Sequence, residues 1–319
     1  PAGKARLNGA CWLFMTLEQL RIFIAVAGLE HVTQAARELH LTQSAVSAAI
    51  TALENRYAIR LFDRIGRRIA LTDAGRAFLG EARSILARAS DAEAMLADLA
   101  EFRRGELTVA ASQTIGTYWI PRVIQAFAIR FPGIRVVLEL GNTEFVAGRV
   151  RDGAALLGFV EGPIDEPALA TDRLFDDELL LVASPGDPWL SGSGDAAGRL
   201  ASARWVSREK GSGTRSALEA SLRHFGLPDS VGAALELPSN ETVRTAVEAG
   251  AGLTVLSRMV VESALATGAL VQVPIALPGR SFNALRHRER YFGRAAAAFV
   301  DLARPGPFAT TCLASSAIP

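Results

Sequence analysis

Two helical patterns separated by a three-residue break constrain this chain more than any other feature. In residues 33–55, TQAARELHLTQSAVSAAITALEN, Ala35, Ala36 and Leu39 give the first pattern an apolar face, and His40-Leu41-Thr42 interrupts it. A second helix opens at Gln43, where Val46, Ile50 and Leu53 recur at spacings of four and three and so form one buried stripe. Thr42 is placed to cap it, because its hydroxyl can accept from a backbone N–H that has no partner within the helix. The other face carries Gln43, Ser44, Ser47, Ala48 and Thr51. These side chains are short and mostly polar, a surface that enters a DNA major groove without clashing. Thr33, at the start of the first helix, is a further candidate contact. Two short helices alone would equally suit a hairpin inside a larger helical core.

The next segment separates those readings. Residues 62–72, FDRIGRRIALT, predict a β-hairpin wing that turns at Gly66 and brings Arg64, Arg67 and Arg68 together. Between Arg60 and Arg68 four arginines stand against Asp63, a local excess of +3, which suits phosphate contacts. The whole chain carries a net charge of only +1, so any nucleic-acid signal has to be local. The pieces LEQLRIF, AARELHLTQSAVSAAI, LE, LFDR and LTDAG, in this order and spacing over residues 17–75, resemble the LysR-type family of bacterial transcriptional regulators. The resemblance implies a winged helix-turn-helix, a long linker helix and a periplasmic-binding-protein-like effector domain. Two departures stand out. The Leu-Gly that usually ends the recognition helix is Tyr57-Ala58 here, and a left-handed Ala58 would be strained by about 1 kcal/mol. Ala48 and Ala49 lack the arginine or glutamine of some members, so base readout is expected to rest on Gln43, Ser44 and Ser47.

Upstream, residues 15–27 predict a helix with Leu17, Leu20, Phe23, Ile24 and Ala27 on one face, packing as the third helix of the core. Residues 1–14 precede Met15, the expected natural start, and are read as upstream sequence. After Thr72 or Asp73 as a cap, one helix is expected through about Phe102. It carries a heptad seam of Phe78, Ala82, Ile85, Ala89, Ala92, Leu96 and Leu99, the pattern a two-helix interface needs. At 1.5 Å per residue it would span roughly 45 Å. A narrow apolar seam on so long a helix predicts pairing with a second copy of the chain.

Arg103-Arg104-Gly105 marks a boundary. Beyond it, strand-like runs alternate with helical ones: LTVAAS, a helix from about 117 to 130, IRVVLEL, a helix from Thr143, and ALLGFV. DELLLVAS reads as a crossing strand. A second set follows, with ARWVS, helix 214–225, AALEL, helix 241–249 and LTVL, before a return through LVQVPI and a last helix over 293–303. Such alternation predicts a parallel, doubly wound α/β unit, here in two halves joined by two crossings. The fold class is therefore mixed: an all-α winged helix-turn-helix over 15–72, a linker helix over 73–104 and a two-subdomain α/β effector domain over 105–304. Subdomain I covers about 105–180 and 277–304, subdomain II about 181–276, and 305–319 is an irregular tail.

Ligands in such folds lie at the carboxyl ends of strands, where helix N-termini point. Ser112, Thr114, Ile115 and Gly116 follow the first strand; Lys210, Ser212, Gly213, Thr214 and Arg215 hold the equivalent place in the second half; Asn240 opens the helix after AALEL, and Glu161 ends ALLGFV. Glycines, hydroxyls and unsatisfied N–H groups there suit a small anion, with Lys210 or Arg215 supplying charge. Taken one at a time, the serines and threonines could simply be helix caps; the matched pair of stretches favours a ligand.

Other chemistries find little support. GSGT is neither a dinucleotide fingerprint nor a P-loop, and no serine sits in a GxSxG elbow. Cys11 and Cys312 lie in the terminal segments, and His31, His40, His224 and His287 are scattered without metal-ligand spacing. No apolar run is long enough to span a membrane, and the stretch over 10–14 is too short for a signal-peptide core. No catalytic residue, metal or cofactor is expected. A periplasmic solute receptor would explain residues 106–303 but not the N-terminal third. The expectation is a cytoplasmic regulator that binds a promoter palindrome as a dimer or tetramer and answers to a small effector, with RNA polymerase as a further candidate partner.

Overall fold

The computed structural model describes residues 15–65, 68–99, 105–192, 196–228 and 233–304. Residues 1–14, 103–104 and 305–319, on which the upstream, boundary and tail readings fall, lie outside that set, as do Gly66 and Arg67. The chain divides into two compact units, residues 1–93 and 94–319.

In the first unit, α1 (Leu17–Leu29) is opened by Thr16, whose hydroxyl accepts from Gln19 N–H while the Gln19 side chain accepts from the Thr16 backbone. It buries Leu20, Ile22, Phe23, Val26 and Ala27. Leu17, expected on that face, is instead 49% exposed, because it precedes the first full turn that packs. Helices α2 (Val32–Glu38) and α3 (Gln43–Tyr57) follow, the latter burying Val46, Ile50 and Leu53. Ala58 ends α3 at φ 51°, so the strained left-handed turn is retained without glycine. The strands β1 (Phe62–Ile65) and β2 (Arg68–Leu71) pair antiparallel as the wing. Glu54 fastens α3 to it by accepting from the N–H groups of Leu61 and Phe62 at 2.8 and 3.2 Å.

The helix that leads out of this unit, α4 (Asp73–Leu99), is 27 residues long, roughly 40 Å at 1.5 Å per residue. Thr72 starts it, accepting from Gly75 N–H at 2.9 Å and donating to the Arg60 carbonyl at 2.8 Å. Gly75 is required there: a Cβ would lie 2.2 Å from the Leu61 carbonyl oxygen. The expected seam divides in two. Phe78 and Ala82 pack into the unit's own core, Phe78 with its ring 5.0 Å from that of Phe23. Farther along, Ile85 and Leu96 are 40% and 66% exposed, and Ala92 is exposed as well. The first turns of α4 therefore complete the winged domain, and only the later ones carry an uncovered apolar stripe. Residues 100–102 and the Leu99 side chain lie outside the described set.

The second unit has two lobes. The first holds β3 (Gly105–Ser112), α5 (Gln113–Tyr118), α6 (Ile120–Arg130), β4 (Ile134–Gly141), α7 (Thr143–Arg151), β5 (Leu157–Glu161) and β6 (Leu169–Asp177). The second holds β7 (Leu179–Ala183), α8 (Ala196–Ala201), β8 (Trp205–Arg208), α9 (Gly213–His224), β9 (Ala233–Leu237), α10 (Asn240–Glu248), β10 (Thr254–Ser257), α11 (Arg258–Ala266) and β11 (Val271–Val273). The chain then returns as β12 (Arg280–His287) and α12 (Arg294–Ala303). The first sheet runs β4-β3-β5-β12-β6, with β3 parallel to both β4 and β5 but β12 antiparallel to β5 and β6. In the second lobe β8 and β9 are parallel, a single bridge from Trp205 to Leu253 carries β8 toward β10, and β7 lies antiparallel between β10 and β11. The two lobes thus repeat one arrangement.

The sequence predicts parallel α/β units joined by crossings; β6 and β12 add antiparallel pairing to the first sheet, as β7 and β11 do to the second. Polar residues interrupt both β6 and β12; in β12, Arg280 and Asn283 are buried, Arg280 bonded through Nε alone and Asn283 donating to the Gly162 carbonyl at 2.8 Å. The helix expected from 117 is also two helices, the first starting directly at Gln113. The chain passes between lobes at Asp177-Glu178 and again in 274–279. At these crossings Asp177 accepts from Arg280 Nε and from the Ser257 hydroxyl, each at 2.6 Å. Burial pushes the Asp177 carboxyl above its ordinary value, outweighing the Arg280 charge and both hydrogen bonds.

Candidate nucleic-acid interface and effector cleft

On α3, the side opposite Val46, Ile50 and Leu53 presents Gln43, Ser44, Ser47, Ala48 and Thr51, all exposed. The Thr42 hydroxyl accepts from Ala45 N–H at 3.2 Å and lies 3.1 Å from the Ser44 hydroxyl. Its lone pairs are thus partly used in capping, and the Gln43 and Ser47 side chains are the less engaged. Thr33, the second residue of α2, is half-buried. Arg64 is exposed on β1, and its register partner across the wing is Ile69. Arg67 lies outside the described residues, and of Arg68 only its backbone place at the start of β2 is described.

In the second unit a narrow polar cleft separates the lobes, lined by Ser112, Gln113, Gly141, Asn142, Thr143, Glu161, Arg208, Ser212, Gly213, Thr214 and Asn240. Strand ends and helix starts place every one of them, as the architecture requires. Six were expected: Ser112, Glu161, Ser212, Gly213, Thr214 and Asn240. The others go elsewhere for clear reasons. Thr114 sits just behind the cleft, accepting from Asn240 Nδ2 at 2.9 Å. Ile115 belongs to the apolar core of the first lobe, and Gly116 packs there, where a Cβ would meet the Leu140 side chain at 2.4 Å. Lys210 is exposed and Arg215 is held at 2.8 Å by Glu219 and 2.6 Å by Glu236. One residue beyond Thr214, Arg215 is turned about 100° around the helix and away from the cleft.

The cation of the cleft is Arg208, whose side chain is only 2% exposed. Its Nε and Nη2 both donate to the Glu209 carboxylate at 2.8 Å, and Nη1 donates to Asn240 Oδ1 at 2.6 Å. Burial alone would raise the Glu209 carboxyl. The hydrogen bonds from Arg208, its own backbone and Asn142, together with the Arg208 charge, hold it below its ordinary value instead.

Bonds from lobe to lobe surround the site. Gln113 donates to the Pro238 carbonyl and accepts from Asn240 N–H, at 3.1 and 3.0 Å. Asn142 donates to Glu209 at 3.3 Å, and Thr143 Oγ1 accepts from Gly213 N–H at 3.1 Å. Gly213 allows that approach, since a Cβ would stand 2.9 Å from the Glu161 carbonyl. The gap that remains is too narrow to admit a water molecule. One polar atom inside it is left over: the buried Ser112 hydroxyl has no hydrogen-bond partner. A buried hydroxyl so placed costs about 1–3 kcal/mol, and a ligand atom there would recover it.

Gly141, Asn142, Thr143 and Arg208 were not anticipated, and Gln113 only as part of the Ser112–Gly116 stretch. IRVVLELG followed by Asn142-Thr143 is the same strand-to-helix junction as the three chosen, so the rule applied elsewhere would have found it. Arg208 is the last residue of a fully buried strand, and an arginine in that position is the overlooked signal.

Residues 17–76 match the family described as "Bacterial regulatory helix-turn-helix protein, lysR family", and residues 100–306 match "LysR substrate binding domain". The Escherichia coli K12 protein described as an uncharacterized HTH-type transcriptional regulator, YeiE, is 35% identical over 295 residues, covering 92% of this chain and 98% of that protein. The HTH-type transcriptional activator CmpR of Synechocystis is 32% identical, covering 76% of this chain and 79% of its own. Among solved structures, full-length OxyR from Pseudomonas aeruginosa superposes with a TM-score of 0.68 at 24% identity, covering 93% of this chain and 97% of that one. Full-length CbnR complexed with its target DNA gives 0.63 at 22% identity, covering 91% and 99%. At those identities the structures speak to fold alone.

Proposed function

Because the chain belongs to the LysR-type family of bacterial transcriptional regulators, we propose how this ligand-responsive, DNA-binding protein divides its work among named residues. Gln43 and Ser47 read base edges in the major groove, Ser44, Thr42 and Thr51 flank them, and the wing arginines Arg64, Arg67 and Arg68 hold phosphates. The protein works in the cytoplasm, on a promoter palindrome, as a dimer through the later turns of α4, with tetramers formed by pairing dimers. Among the described residues no helix is long and apolar enough to cross a membrane, and no group of three His, Cys, Asp or Glu could hold a metal. No catalytic step is assigned to it.

The DNA assignment predicts that Gln43→Ala and Ser47→Ala each reduce the preference for operator over random DNA by about 1–3 kcal/mol. Arg64→Ala should weaken both kinds of binding and flatten the salt dependence. Fluorescence anisotropy on the two DNAs at several salt concentrations checks both. Equal losses on operator and random DNA for Gln43→Ala would remove that residue from base readout.

The effector is a small anion held in the cleft by the Ser112 hydroxyl, the Arg208 guanidinium and the Ser212–Thr214 helix start. The observation that carries this is the buried Ser112 hydroxyl without a partner, in a cleft that also contains a buried arginine. A thermal-shift screen of inorganic and organic anions on the full-length protein identifies candidates, and calorimetry measures affinity. Ser112→Ala and Thr214→Ala should weaken binding between a few-fold and about a hundredfold, depending on whether the lost bond meets a charge. DNA affinity without effector should stay unchanged. If both variants bind as the parent does, the ligand lies elsewhere.

A further inference from the structure

The charges lining the cleft do not leave room for simple addition of an anion. In the lining Arg208 contributes one positive charge and Glu161, which is 3% exposed, one negative; Glu209, bonded to Arg208 from behind the lining, adds a second negative charge. An incoming oxyanion would meet a site whose formal balance is already negative, and like charges at this range repel strongly when partly desolvated. The guanidinium is not idle either. Glu209 covers its Nε–Nη2 edge with two parallel 2.8 Å bonds, the fork geometry by which carboxylates and other oxyanions are recognised. Neighbouring residues along an extended strand point to opposite faces. For Glu209 to grip the side chain of Arg208, the chain has to leave the strand at that residue, which is where β8 ends. Beyond Arg208, Glu209 also accepts from Asn142 of the other lobe. The gap beside this fork is too narrow for water, yet the buried, unpartnered Ser112 hydroxyl belongs to its lining.

The geometry points to Glu209 as an internal stand-in for the effector's anionic group, occupying the Arg208 guanidinium until an oxyanion displaces it. This inference rests on the reading of the cleft as an anion site and adds how that site is kept closed to weak ligands. Exchange rather than addition restores the charge balance, because one carboxylate leaves as one anion enters. It also supplies the Ser112 hydroxyl with an acceptor, which the Glu209 carboxylate does not. At the same time it frees Glu209 from Asn142, so occupancy at Arg208 is coupled to one of the bonds that join the lobes. Glu209 then sets the affinity threshold: only an anion that binds the fork better than a tethered carboxylate opens the cleft.

Glu209→Gln keeps the shape and one acceptor but removes the charge. Inorganic sulfate serves as the probe, titrated into the full-length protein at constant ionic strength and read by thermal shift and calorimetry, with circular dichroism to confirm the fold. Glu209→Gln should bind sulfate at least about tenfold more tightly than the parent chain, and adding Ser112→Ala should remove much of that gain. Equal sulfate affinity in the parent chain and Glu209→Gln, with Ser112→Ala weakening both, would leave the anion site standing and overturn the stand-in role. No sulfate binding even in Glu209→Gln would overturn both readings. A gain that survives Ser112→Ala undiminished would place the anion away from this guanidinium, and that too overturns the inference.

Discussion

Replacing Asp177 with alanine is expected to destabilise the effector-binding unit by about 3–5 kcal/mol, the cost typical of removing one member of a buried ion pair. The side chains of Asp177 and Arg280 are 1% and 6% exposed. Arg280 Nη1 and Nη2 are buried without hydrogen-bond partners, so Asp177 is the guanidinium's one hydrogen-bonded anchor. Removing it leaves a buried guanidinium without a hydrogen-bonded counter-charge, with the Phe282 ring 5.9 Å away. Urea unfolding followed by tryptophan fluorescence measures the loss. The double change Asp177→Leu with Arg280→Met should recover most of it, because apolar side chains of similar volume dispense with the desolvation of both charges. A double variant as unstable as Asp177→Ala would show that the pair is needed for more than its own neutralisation.

The same carboxyl gives a pH dependence of definite sign. Its folded value lies above the ordinary one, so between the two the folded chain holds a proton that the unfolded chain has released. The stability this provides is fully present below the ordinary value and falls as pH rises through the window up to the folded value. Asp177→Asn should remove that slope while keeping an acceptor for Ser257.

The second large effect is expected in α4. Ile85→Asp combined with Leu96→Asp places two carboxylates on the stripe that is uncovered in the single chain. If the stripe pairs with a second copy, each charge is desolvated at a cost of several kcal/mol, and the dimer dissociation constant should rise by more than about a hundredfold. Sedimentation should report monomers, and operator affinity should fall with them. Neither residue belongs to a buried core cluster of its own chain, so both units should still unfold cooperatively. A double variant that remains dimeric with unchanged DNA affinity would assign dimerisation to another surface.

Much of this was legible in the sequence, for reasons that differ by region. In the first unit, period and capping point the same way: Val46, Ile50 and Leu53 are buried and Thr42 caps, as their spacing requires. The strained turn at Ala58 was also visible, because only its neighbours in the motif define what the backbone has to do there. The seam on α4 was read one step too far. Periodicity shows that a face is apolar but not what covers it, and Phe78 and Ala82 are covered from within. In the second unit β6 and β12 escaped notice because polar residues break their apolar runs, some facing solvent as Arg173 and Asp176 do and some buried at the crossings as Asp177 and Arg280 are, which defeats a hydrophobic pattern. The cleft was found through strand-to-helix junctions, yet its charge was assigned to Lys210, which is exposed, and Arg215, which two glutamates hold. Only the folded chain shows that Arg208, at the end of a strand, is the arginine turned inward.

The pinning of both crossings at one pair has a mechanical consequence. A lobe tethered by a single strand could slide, tilt and twist against its neighbour. Here the outgoing strand ends at Asp177 and the returning one begins at Arg280; the two are register partners bonded directly to each other, and Asp177 also accepts from the Ser257 hydroxyl. Translation and twist would pull that buried pair apart, whereas a hinge rotation about it would not. The lobes are therefore left with essentially one soft degree of freedom. Whatever binds between them can be expressed only as an angle, a scalar that the rest of the protein can read.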